Sequence, residues 1–122
     1  ALNDLALAYY DVGIQQKSAE HLDLGFNLAQ RAAAGCPEND ELHHTLGEYY
    51  LRLRNVEGNV ERALSEFRAA LAINPRPHNY FSLGSVLVSL QRTEEARPYL
   101  AEYVRLAPQG ENRGRALAWL NQ

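Results

Sequence analysis

Three times in this chain a small residue is followed by an apolar residue four positions on, another three further, and a proline five beyond that. The clearest copy is Ala63, Phe67, Ala70 and Pro75. A second runs Ala96, Leu100, Tyr103 and Pro108, and a weaker one Gly25, Ala29, Ala32 and Pro37. Steps of four and three return a side chain to the same face of an α-helix, and a proline cannot continue one. The chain therefore has to fold as a repeated helical unit. A helical hairpin of this size cannot cover its own apolar face, so neighbouring hairpins must stack to make one core.

The stretches between these copies supply the partner helices. Leu2, Leu5, Ala6, Tyr9 and Val12 fall on one stripe, with Gly13 expected to end the helix. Ser18 is a candidate N-cap for the next helix, whose stripe is Leu22, Gly25, Phe26, Ala29, Ala32 and Ala33. Asn39 or Asp40 can cap a third, with Leu42, Leu46, Tyr49, Tyr50 and Leu53 inward. Gly58 breaks it, and Asn59 is expected to cap the fourth. Pro77 suits the first turn of the fifth helix, lined by Tyr80, Leu83, Gly84, Leu87 and Leu90. Thr93 is expected to cap the sixth, with Pro98 loosening its early turns, and Ala116 to Leu120 mark a seventh. No stretch alternates with the period of two that marks a half-buried strand.

This pattern resembles the tetratricopeptide repeat (TPR), whose motif is W-x2-L-G-x2-Y, then A-x3-F and a closing proline over about 34 residues. His43, Leu46, Gly47, Tyr50, Ala63, Phe67 and Pro75 match it except at the tryptophan slot. Tyr80, Leu83, Gly84, Leu87, Ala96, Leu100 and Pro108 keep its sizes, and Leu2, Leu5, Ala6, Tyr9, Gly25, Ala29 and Pro37 form a degenerate copy. The resemblance implies an all-α fold: a right-handed α-solenoid of three TPR-like helix pairs plus a C-terminal capping helix. It implies one domain over 1–122, with repeats at 1–37, 38–75 and 76–108 and the capping helix at 109–122. Extra residues around Arg54 to Gly58 and Gly13 to Ser18 should lengthen helix ends or loops without disturbing the stack.

Composition narrows function. Apolar residues make up 46% and charged residues 22%, a globular balance. The net charge of −3 argues against nonspecific nucleic-acid binding, which needs a basic face. One cysteine, Cys36, excludes a disulfide within the chain. No apolar run reaches the roughly 20 residues of a membrane span, so direct membrane insertion is not expected. Eleven of the twelve basic residues are arginine, a bias of GC-rich, bacterial genomes. The chain starts at Ala1 without methionine and reads as a piece of a longer or processed protein; its compartment is not legible.

Little here suggests chemistry. His43 and His44 are adjacent and Glu48 lies one turn beyond His44, but no third ligand is evident for a metal. Neither a nucleophile elbow nor a glycine-rich phosphate loop is present, so no catalysis and no cofactor are expected. In stacked pairs of this family the first helices line the concave surface. The resemblance puts there Asn3, Leu7 and Tyr10, then Glu41, His44, Glu48 and Leu51, then His78, Phe81, Ser85 and Val88. Such a face suits an extended peptide or a partner helix, neutral or basic rather than acidic. The slots that carry lysines and asparagines in chaperone-binding relatives hold Asn3, Leu7, Thr45, His78 and Ser82, so no carboxylate clamp is expected. The expected function is a non-catalytic protein–protein interaction module. The alternatives are an oligomerisation domain working through its end helices, or the soluble regulatory fragment of a larger enzyme, membrane-bound or not.

Overall fold

The computed structural model describes residues 2–16 and 18–122, except for the side chains of Leu2 and Asn3. The inner-face assignment of Asn3 and the packing role of Leu2 thus lie outside the described residues. Among those described there are seven α-helices and no strand: α1 (Leu2–Gln16), α2 (Ala19–Gly35), α3 (Asp40–Arg52), α4 (Asn59–Ile73), α5 (Pro77–Ser89), α6 (Thr93–Leu106) and α7 (Arg113–Leu120). They fall into two compact units, α1–α4 and α5–α7.

In the first unit α1 packs along α2 and α3 along α4, and α3 also meets both α1 and α2. Its core gathers Ala6, Ala29, Ala32, Ala33, Leu42, Leu46 and Tyr49, with Tyr10, Leu22, Phe26 and Tyr50 around them. Tyr49 is the hub. Its side chain is wholly buried, its hydroxyl donates to the carbonyl of Ala6, and Tyr10 meets its ring edge-on at 5.1 Å. The hydroxyl fits because residue 25 is glycine: a Cβ there would lie 1.7 Å from it. Gly47 plays the same part toward Phe67, whose ring lies 2.8 Å from where a Cβ would stand. The small slots of the repeat are therefore contact points between helices.

Two expectations for this unit need correction. Gly13 does not end α1; the helix runs on to Gln16, because Gly13 is buried and Leu22 of α2 packs within 2.6 Å of its missing Cβ. The extra residues there lengthen a helix end. Asn59 does not cap α4 with its side chain. Instead its amide donates to the Leu53 carbonyl at 2.9 Å and its oxygen accepts from Arg62 at 2.9 Å, clipping the 53–58 loop closed. The carbonyl of Gly58, which takes a positive φ of 85°, accepts the first helical N–H from Arg62 at 3.0 Å. Ser18 and Asn39 do cap as expected, Ser18 accepting the backbone N–H of His21 and Asn39 those of Glu41 and Leu42. Leu5, read as inward, is 45% exposed.

In the second unit α5 packs along α6, and α7 lies mainly against α6. Leu83, Leu87, Ala96 and Leu100 are buried, and Leu100 approaches within 2.7 Å of a Cβ placed on Gly84. Pro77 occupies the first turn of α5 as read. Thr93 is not the cap of α6: Arg92 holds that position without a side-chain cap, and its guanidinium grips Glu95 at 2.8 and 2.9 Å. Pro98 leaves α6 unbroken, since its missing N–H falls on an exposed face.

Candidate functional site

Within the first unit the structure brings together three of the expected inner-face residues. Tyr10 on α1 donates to the Glu48 carboxylate on α3 at 3.4 Å, and the His44 ring lies 3.8 Å from the other Glu48 oxygen. This follows from local structure: Glu48 sits one turn after His44 on the side of α3 that meets α1. Burial pushes the Glu48 carboxyl above the usual carboxylate range, only partly offset by the hydrogen bond from Tyr10. Burial and then the Glu48 charge push the Tyr10 phenol up to about 12, with Arg52 pulling the other way. Leu7 is exposed, Leu51 half-buried and Glu41 exposed, its carbonyl accepting from the Thr45 hydroxyl at 2.9 Å. Asp11 and Arg52, not singled out from the sequence, also bear on Tyr10. Their positions beside Tyr10 and four residues after Glu48 were the available signal.

In the second unit His78 is exposed, Val88 is half-buried, and the Ser85 hydroxyl turns back to the Ser82 carbonyl at 3.0 Å. Phe81 departs from expectation. It is only 9% exposed, because Trp119 of α7 stacks on it at 5.9 Å and Tyr103 of α6 lies at 5.1 Å. The Arg115 guanidinium covers both rings, 5.5 Å from Phe81 and 5.2 Å from Trp119. Helical periodicity identifies a residue's face but not the later segment that covers it.

The neighbouring histidine has a structural role. His43 points one ring nitrogen at Glu66 of α4 and the other at the Pro37 carbonyl, each at 2.6 Å. Burial opposes its charge, yet the hydrogen bonds to Glu66 and Pro37 and the charges of Glu66 and Asp40 prevail, so its pKa is raised. Among the described residues no three His, Cys, Asp or Glu side chains gather in a way that could hold a metal ion, and no helix is long and apolar enough to cross a membrane.

Residues 77–109 match the sequence model of the tetratricopeptide repeat. A thermophilic TPR protein from Thermus thermophilus superposes with a TM-score of 0.85 over 99% of this chain, at 23% identity. The fold is the tetratricopeptide repeat. The chain spans 63% of the Thermus protein's length. The first TPR of Spaghetti (RPAP3), solved bound to the HSP90 peptide SRMEEVD, gives a TM-score of 0.66 at 22% identity, covering 98% of this chain and 92% of its own. YrrB, described as a TPR protein with an unusual peptide-binding site, gives 0.65 at 22% identity over 94% of this chain and 56% of its own. A comparison with curated proteins finds no match. In the TPR register His43 and Tyr80 hold the motif's tryptophan slot. His43 fills it by polar contacts to α4 and Pro37 where an indole would fill it by area.

Proposed function

We propose that this chain is a non-catalytic protein–protein interaction module that binds a peptide or partner helix on the face lined by the first helices of its pairs. The observation that carries this reading is the TPR fold, supported by the motif match over 77–109. Two proteins of the same fold are described in peptide-binding terms, one as bound to SRMEEVD and one by an unusual peptide-binding site. In the first unit the proposed contacts are Leu7, Tyr10, Glu41, His44, Glu48 and Leu51; in the second they are His78, Ser85 and Val88, with Phe81 contributing from beneath as the support of Trp119 and Arg115. Thr45 and Ser82 are buried, which weakens any case for a clamp on an acidic tail.

Selection of displayed random peptides against the chain tests the reading. Enriched sequences should lose binding to Leu7→Asp and Leu51→Asp variants that melt normally. No enrichment, or binding indifferent to both changes, would oppose it. A second reading, pairing of two copies through the first helix pair, is favoured by Leu5 and Leu24, which are 45% and 46% exposed. Light scattering on a Leu5→Glu, Leu24→Glu variant should then show a dimer reduced to monomer.

A further inference from the structure

A carboxylate withdrawn from water without a cation nearby is held at a cost, because nothing replaces its lost hydration. Glu48 approaches that position: it is half-buried, and among the described residues only the Tyr10 hydroxyl and the His44 ring stand in for water. Its side chain is 35% exposed. Its polar neighbours among the described residues are a phenol at 3.4 Å and an imidazole at 3.8 Å. Arg52, one turn on, is exposed and bears on Tyr10 but makes no ion pair with Glu48. Other glutamates of the chain are matched differently: Glu94, Glu95 and Glu102 each hold an arginine three positions away.

The surroundings share the sign of Glu48. Helices α1 and α3 carry Asp4, Asp11, Asp40, Glu41 and Glu48 against Arg52. Along the sequence, residues 1–73 hold eleven acidic and six basic side chains, whereas residues 74–122 hold four and six. The negative field is thus concentrated in the unit that presents Glu48.

Within the interaction module proposed above, and resting on that reading, we propose that Tyr10 and Glu48 form the receptor for a cationic side chain, arginine or lysine, of the bound peptide. The carboxylate supplies the countercharge, and the Tyr10 ring offers a face on which a guanidinium can stack. A bound cation replaces the lost hydration of Glu48 and releases any proton it holds, so binding tightens as pH rises through the raised carboxyl pKa and then levels off. The titratable and charged groups around the pair are Asp11 on α1 and His44, Tyr49 and Arg52 on α3.

The test uses fluorescein-labelled nonapeptides of alternating leucine and glycine whose central residue is arginine, lysine, citrulline or glutamate. Citrulline keeps arginine's shape and removes its charge. Arginine should bind roughly tenfold tighter than citrulline, the size of one charge-assisted contact, with glutamate weakest. In Glu48→Gln the arginine-to-citrulline ratio should fall below about twofold, while the melting temperature at neutral pH stays equal or rises. In Arg52→Ala the ratio should not fall. Equal binding of arginine and citrulline, or a ratio unchanged in a folded Glu48→Gln, overturns the cation receptor while leaving the module reading intact. Binding of none of the four peptides, together with an unproductive display selection, overturns both.

Discussion

The hydroxyl of Tyr49 occupies the place where any side chain at residue 25 would begin, 1.7 Å from a would-be Cβ. Gly25→Ala must therefore expel the buried phenol and break its bond to the Ala6 carbonyl. Overpacking together with one lost buried hydrogen bond should cost about 2–4 kcal/mol. Urea denaturation measures it, and an unchanged midpoint would show that the helices separate freely there. The spacing of small residues made Gly47 and Gly84 legible as close contacts, because a helix crossing needs them at fixed intervals. Caps were less legible. Ser18 and Asn39 cap as read, but Asn59 turned to the 53–58 loop and Thr93 fell inside α6, since a polar residue near a boundary has several backbone groups to choose from.

At the scale of elements, two polar contacts tie helices together. His43 joins α3 to α4 through Glu66 and to the preceding connection through Pro37. Its pKa is raised on folding, so its contribution to stability is full below the unfolded value of about 6.5 and is lost as pH rises through the folded one. His43→Gln should flatten that decline in a series of thermal melts from pH 6 upward; an identical slope in both proteins would contradict the assignment. Arg97 secures α7, donating to the carbonyls of Leu120 and Gln122 at 2.7 Å each. These carbonyls have no partner further along a helix, and a cation there also suits the helix dipole. Arg97→Ala should speed hydrogen exchange in 113–120 roughly tenfold while α5 and α6 stay protected. Equal loss of protection in all three would mean that α7 is not a separable element. The seventh helix was readable from its apolar spacing, but its seat over Phe81 was not: that contact depends on two segments far apart in sequence.

For the whole molecule, the repeat pattern made the all-α TPR fold legible almost completely, because a stack built from one motif states its own packing rule. The acidic character of the first unit was hidden by the modest overall charge of −3, in which its excess of carboxylates is partly cancelled by the arginines of the second. Nor could spacing show that Glu48 would be half-buried beside Tyr10 with no cation on it, since that depends on how α1 meets α3. The measurement that tests the account most directly is the amide NMR spectrum of the chain during titration with the arginine nonapeptide. Shifts should gather around Leu7 and Tyr10 on α1 and His44, Glu48 and Leu51 on α3. Shifts confined to α2, α4 and α6 would contradict it.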